Sequence, residues 1–233
     1  MFKEKFLEKG VVYYSDLIPE LEHYFTTREI NVEDNIEFWS KYLHLNKEDI
    51  IKPTQTHSAN IDIVKDGIFD YPDTDSLIIT NKKQAIYMRF ADCTPVILYD
   101  KKANIAAGVH AGWRGTAQSI LPKTVKKIIE YSNSSYNDIY AVVGPAIGQC
   151  CYEVGKEVSA ELSKTINTNN GLITDDNFVD LKGINAQQLI ELGIPNENID
   201  ICPFCTSCRN DLFFSYRKES GTQKRHNLII KLK

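Results

Sequence analysis

Three short segments carry the residues best able to do chemistry: TQTH at 54–57, ADCTPVILYD at 91–100 and GVHAGWRGT at 108–116. Each flanks a predicted strand and offers one nitrogen or sulfur donor: His57, Cys93 and His110. One thiolate and two imidazoles suit zinc. Three protein ligands leave the fourth tetrahedral position for water or substrate, which marks a catalytic rather than a structural site. In such a centre Cys93 is a thiolate, the metal lowers the pKa of water to about 7, and Asp92 is a candidate acceptor behind the ligands. The competing reading makes His110 a core histidine, Cys93 a small core residue and His57 a surface side chain.

Strand geometry links two of the three. If 94–99 and 104–109 form a hairpin turning at residues 101–102, directly opposed residues have numbers that add to 203, as Cys93 and His110 do. Their Cβ atoms then lie about 4.5–5.5 Å apart. Lys-Lys is not a favoured two-residue turn, so a register one residue longer stays open and makes the pair diagonal neighbours. His57 has no such local link. Past His110, the residues Gly112, Arg114, Gly115 and Thr116 lead into a predicted helix. A helix N-terminus offers free N–H groups to an anion, and Arg114 can add a two-pronged contact to phosphate or carboxylate. Equally, the glycines permit a tight turn and Arg114 is a solvated charge.

The remaining cysteines are Cys150, Cys151, Cys202, Cys205 and Cys208. CPFCTSC at 202–208 has the spacing that begins a zinc or iron–sulfur site, without a fourth ligand at a customary distance. Adjacent cysteines are poor joint ligands, which favours a packed loop for Cys150–Cys151.

The elements that must position these groups follow from periodicity. Helical spacing spans 17–28 and 33–44, the second with a cap at Asn31. Strands are predicted at 59–65, 77–80, 84–90, 94–99, 104–110 and 139–143, several apolar throughout and therefore buried on both faces. A helix at 115–131 should kink or break at Pro122. Further helices fall at 155–165 and 183–192, the latter stopped by Gly193, and the last strands at 211–216 and 226–232. Residues 166–177 read as a surface loop. Hairpins mixed with helices indicate α+β architecture with mixed sheets.

Composition narrows the function classes. The chain has 233 residues, 42% of them apolar, and no linker-like stretch, so residues 1–233 are expected to form a single domain. With 27 Lys+Arg against 31 Asp+Glu the net charge is −4, and no basic stripe points to nucleic acid or to a membrane surface. No apolar run reaches bilayer length. MFKEKFLEKG lacks the apolar core of a signal peptide, so a cytoplasmic location and reduced thiols are expected.

QTH, ADCTPVIL, HAGWRGT, VVGPAIGQCCYEVG, DLKGINAQQL and CTSCRNDLFFSYRK occur in this order. From about His57 to Arg217 the chain resembles the family first called multicopper polyphenol oxidases, or laccase-domain proteins, and since described as purine nucleoside phosphorylases. HAGWRG with ADC and GPAIG makes the match specific. The resemblance implies a four-layer α/β/β/α sandwich with mixed β-sheets. It implies that His57, Cys93 and His110 form the active-site metal centre, zinc in most accounts with copper possible. It also implies phosphorolysis of adenosine, inosine and S-methyl-5′-thioadenosine, with an added adenosine deaminase activity. Purine nucleosides and phosphate are then the partners; by its own chemistry Arg114 is the expected phosphate contact, and a monomer or homodimer is expected. Two departures concern substrate preference. The family's usual N-terminal stretch is absent, with FTTRE at 25–29 a partial stand-in, and residues 221–225 replace the usual Gly-Arg after SYR.

Three other functions compete. A cysteine hydrolase would use Cys93 as nucleophile and His110 as base. The fold's likeness to cysteine-dependent toxin deamidases supports it, as does the amidase role in cell-wall precursor editing proposed for some relatives. A copper-dependent polyphenol oxidase of the multicopper kind needs more than the chain's 5 histidines, since His23, His44 and His226 lie in unrelated segments. A non-catalytic binding protein would fill all four metal positions with protein.

Overall fold

The computed structural model describes residues 1–30 and 35–233. The strands are β1 (Phe2–Leu7), β2 (Gly10–Ser15), β3 (Leu21–Thr26), β4 (Ile50–Pro53), β5 (Ile61–Ile63), β6 (Asp70–Tyr71), β7 (Ser76–Ile79), β8 (Ala85–Phe90), β9 (Thr94–Asp100), β10 (Ile105–Ala111), β11 (Ile139–Val143), β12 (Ile199–Ile201) and β13 (His226–Leu232). The helices are α1 (Ile36–Leu43), α2 (Trp113–Ala117), α3 (Ile120–Ser132), α4 (Lys156–Ser163) and α5 (Leu181–Leu192). One sheet runs β1-β2-β3-β13-β8-β4-β6 and the other β12-β11-β9-β10-β7-β5. Both mix parallel and antiparallel pairs: β4 is parallel to β8, and β11 is parallel to β12 but antiparallel to β9.

Alternation along the strands builds four layers. Phe25, Ile86, Met88, Leu228 and Ile230 of the first sheet meet Ile97, Tyr99, Ala106 and Val142 of the second in a shared core. On the far side of the second sheet, Val96, Leu98, Ala107, Val109 and Ala141 pack under Ile120, Val125 and Ile128 of α3 and Leu189 of α5. On the far side of the first, Val12, Tyr24, Tyr87 and Ile229 cover Trp39 and Leu43 of α1. Strands such as β9 and β10 are therefore buried at every position, which is why they read as continuous apolar runs. The architecture is the α/β/β/α sandwich that the resemblance implies.

Several expectations are corrected. Residues 17–28 form no helix; Leu21–Thr26 is β3, inserted between β2 and β13. The segment satisfies both periodicities, and pairing to two neighbouring strands decides between them. Residues 211–216 are turns rather than a strand, although Phe213 and Phe214 are buried; the amides of Leu212 and Phe213 both bond to the carbonyl of Arg209. The expected helix at 115–131 is broken before Pro122, at residues 118–119, where Ser119 adopts φ 57°. Pro122 then sits in the first turn of α3, where its missing N–H has no intrahelical partner to lose. The expected cap at Asn31 lies outside the described residues. Gly193 does end α5, at φ 111°, and Asp180 caps its start by accepting from the Gly183 amide at 3.0 Å.

Two buried imidazoles, those of His23 and His226, set an acid limit on this fold. His23 on β3 accepts from the Ser15 amide at 3.0 Å, and Nδ1 meets the Leu21 carbonyl, also at 3.0 Å. Burial pushes its pKa down to about 4, and burial pushes that of His226 on β13 to about 3. Unfolded histidines bind a proton near pH 6.5, so the unfolded chain gains protons first. Stability is intact above that pH and falls below it by up to about 1.4 kcal/mol per pH unit for each histidine, until the folded imidazoles themselves titrate. Urea unfolding between pH 6.5 and 5 should show this slope, and His226→Leu should roughly halve it. A flat stability across that window would contradict the neutral, buried state of both rings.

Candidate metal centre

The β9–β10 turn holds four residues rather than two, because the Asp100 carboxylate accepts the Ala103 amide at 2.9 Å and Asn104 takes a left-handed φ of 54°. The register consequently moves by two from the expected one, and His110 faces Pro95. A shift of two keeps the same face, so Cys93, two residues before Pro95, remains a diagonal neighbour of His110. That face is the one carrying Ala106 into the core between the sheets, and His110 lies there with its ring 5.3 Å from that of Phe90.

His57 arrives from elsewhere in the chain. Its backbone is left-handed, at φ 65°. The conformation is imposed by Asp75, which is fully buried and accepts from the amides of Thr56 at 3.0 Å, His57 at 3.1 Å and Ser58 at 2.8 Å. The same carboxylate accepts from the Ser58 hydroxyl at 2.8 Å and from Nδ1 of His110 at 2.6 Å. The Asp75 carbonyl takes the His110 amide at 2.7 Å. One acidic residue thus holds the loop bearing His57 against the strand bearing His110. Their rings stand 4.8 Å apart at 71°, and the donor atoms of His57, Cys93 and His110 all lie within 4.8 Å of one another. Gly112 is required beside them, since a Cβ there would come 3.0 Å from the Cys93 sulfur and 3.2 Å from the His57 ring.

The electrostatics favour charged donors. Burial pushes the Cys93 thiol up, but the charge on His110 and hydrogen bonds from both imidazoles outweigh it and bring the pKa down to about 6. Burial opposes charge on His110 as well; the Cys93 thiolate and Asp75 more than offset it and raise the pKa to about 9. Burial raises Asp75, and the donors around it, His110 first, draw it to about 2. With Asp75 ionised, His110 donates from Nδ1, so Nε2 is the nitrogen that a metal would engage on displacing its proton, the usual arrangement behind a metal-bound histidine.

Asp92 does not play the part expected of it. Its carboxylate accepts from the Thr206 hydroxyl at 2.5 Å and from the Arg217 amide at 2.9 Å, so it ties loops together instead of orienting a ligand. Asp75 holds His57 and His110 in place, and no motif signals it: it stands in an ordinary turn-rich stretch of sequence.

Two cavities open beside the trio, both lined by His57 and Cys93 and the second also by His110. One of about 440 Å³ is lined by His57, Cys93, Arg114, Tyr152, Tyr216 and Arg225. The other, about 450 Å³, shares His57, Cys93 and Arg225 and adds Lys52 and Arg89. Arg114 lies with its guanidinium 4.5 Å from the centre of the Trp113 ring. The helix behind it, α2, has only five residues, so the anion attraction expected of its dipole is small and the cationic side chains dominate. Arg225 comes from the 221–225 segment that departs from the family pattern, which motif reading could not assign.

The other cysteines depart from expectation too. Cys150 and Cys151 do not merely pack a loop: their sulfurs lie with those of Cys205 and Cys208 within 4.8 Å of one another. Cys202 stays apart, buried on its own. Among the described residues, His23, His44 and His226 join no group able to hold a metal.

Comparison with known proteins shows the family and the fold. A family model described as multi-copper polyphenol oxidoreductase laccase matches residues 20–233. "Purine nucleoside phosphorylase YlmD" of Geobacillus stearothermophilus is 33% identical over 195 residues, covering 82% of this chain and 70% of that protein. "Purine nucleoside phosphorylase CA_C1699" of Clostridium acetobutylicum is 32% identical over 235 residues, covering 98% and 97%. The crystal structure of YlmD from Geobacillus stearothermophilus superposes with a TM-score of 0.89 at 27% identity, over 99% of this chain and 98% of that one. The chain therefore belongs to the multi-copper polyphenol oxidoreductase laccase family.

Proposed function

We propose that the chain is a zinc-dependent purine nucleoside phosphorylase acting on adenosine, inosine and S-methyl-5′-thioadenosine, with an adenosine deaminase side activity. The observation that carries the reading is the convergence of His57, Cys93 and His110, two of which, His57 and Cys93, line a cavity that also presents Arg114, Arg225 and two tyrosines. The names of the relatives support the nucleoside assignment.

The donors fit zinc: one low-pKa thiol and two imidazoles within 4.8 Å, one imidazole already oriented by a carboxylate. When bound there, zinc supplies Lewis-acid polarisation of an oxygen atom. Copper in the same donors is the alternative cofactor, but a multicopper set needs more imidazoles than the trio provides. The chain's own residues do the rest. Arg114 and Arg225 hold phosphate by charge-assisted hydrogen bonds. Tyr152 and Tyr216 offer ring faces to the purine. In phosphorolysis a phosphate oxygen bonds to C1′ as the bond from C1′ to the base breaks; the electron pair leaves with the purine, which takes up a proton. In deamination water adds to the amino-bearing carbon of adenosine and ammonia leaves. No helix among the described residues is long and apolar enough to cross a membrane; a cytoplasmic enzyme, monomeric or homodimeric, without nucleic-acid partners, belongs to the same proposal.

A second reading rests on the charged Cys93–His110 pair, which also suits a cysteine hydrolase or amidase. Metal-free protein that keeps its activity and loses it on alkylation would favour that reading.

Purified protein incubated with adenosine should release adenine only when phosphate is present, and inosine without it. Cys93→Ser should lower metal content and both activities together. Absence of product from a preparation carrying stoichiometric zinc would overturn the assignment. Asp75→Asn should reduce metal affinity or turnover by about 10–100-fold. Circular dichroism would confirm that this variant is folded, and wild-type turnover in it would show that Asp75 does not orient His110.

A further inference from the structure

We propose that Cys150, Cys151, Cys205 and Cys208 form a second metal site, a tetrathiolate centre for a single zinc ion that braces the wall of the active cavity. All four sulfurs lie within 4.8 Å of one another, and Cys208 stands 3.5 Å from both Cys150 and Cys151. Four sulfurs bound to one tetrahedral zinc at about 2.3 Å are separated by about 3.8 Å. A polynuclear iron–sulfur core needs its cysteine sulfurs farther apart, because several metal atoms lie between them.

The loops are shaped for this. Cys150 and Cys151 sit in a turn in which the Cys151 amide bonds to the Gly148 carbonyl at 3.0 Å. The Gly148 amide in turn donates to the Cys205 sulfur at 3.1 Å, the kind of contact that stabilises a thiolate. A Cβ at Gly148 would lie 3.1 Å from the Cys205 Cβ and 3.4 Å from the Cys150 sulfur, so glycine lets the two loops approach closely. The site is not explained as apolar packing, since Cys150 and Cys208 are exposed. A disulfide would use two of the sulfurs and leave Cys208 with two equidistant partners, whereas one ion uses all four.

The placement gives the site a purpose. Ala146 and Cys205 form a parallel bridge, and the Thr206 amide bonds to the Ala146 carbonyl at 3.0 Å. Thr206 donates to Asp92, and Ile147 and Asp92 both line the cavity beside His57 and Cys93. An ion joining the two loops therefore fixes the cavity wall beside His57 and Cys93. Zinc displaces the thiol protons to solvent, and no electrons move.

The full chain, purified anaerobically with a thiol reductant and zinc, should carry two zinc ions. Cys208→Ser should carry one, with the His57 site retained, and His57→Ala should carry one, with the cysteine site retained. In Cys93→Ser loaded with cobalt(II), every remaining thiolate ligand belongs to the new site. Intense sulfur-to-cobalt charge-transfer absorption should appear there and vanish on adding Cys205→Ser. That spectrum reads the site even if the Cys205 variant fails to fold. One zinc per chain, lost with His57→Ala, overturns the proposal. So does an iron-containing chain, a Cys208 disulfide in the reduced preparation, or a Cys93→Ser spectrum without thiolate bands.

Discussion

The site depends on one buried carboxylate. Asp75 has no solvent exposure, and an ionised side chain there is tolerated only because hydrogen bonds surround it. The amides of Thr56, His57 and Ser58, the Ser58 hydroxyl and the His110 ring provide them. Satisfying that charge forces the 56–58 loop into a left-handed turn and brings His57 onto His110. The charge requirement of one residue thus assembles two imidazoles that are 53 positions apart in sequence. Cys93 needs no such device, because antiparallel pairing of β9 and β10 already places it diagonally opposite His110.

The sandwich supplies the rest. Its two sheets share an apolar core that carries His110 at one end, so the trio has a dry side backed by Phe90 and a wet side at the cavities. A chain of net charge −4 gathers Lys52, Arg89, Arg114, Arg217 and Arg225 around those openings. Such local concentration of positive charge attracts an anion whatever the overall balance. Arg217 and Arg225 are both partly committed to structure, Arg217 donating to the Glu153 carbonyl at 3.1 Å and Arg225 to the carbonyls of Thr222 at 2.6 Å and Lys224 at 2.8 Å.

What was legible in the sequence divides along physical lines. Cys93 and His110 were legible because strand pairing relates nearby residues by simple arithmetic, and a register error of two does not change the face. The central strands were legible because burial on both faces leaves continuous apolar runs. Asp75 was not, since a single acid in a turn-rich stretch carries no spacing signal. The β1–β2 hairpin was hidden because β1 is an edge strand whose inner positions, Lys3 to Lys5, are exposed and so lack an apolar alternation. β3 was mistaken for a helix because its apolar residues satisfy both periods and only tertiary pairing decides. The four-cysteine cluster was missed because its two halves lie more than 50 residues apart, and neither half alone has a complete ligand set.

The central claim is that one sulfur and two imidazole nitrogens share an ion at the end of the sandwich. Zinc-edge X-ray absorption on the Cys208→Ser chain isolates that centre. The account predicts one sulfur at about 2.3 Å and two imidazole nitrogens at about 2.0–2.1 Å. A shell without sulfur, or one in which the His57→Ala change leaves the nitrogen count untouched, would contradict it.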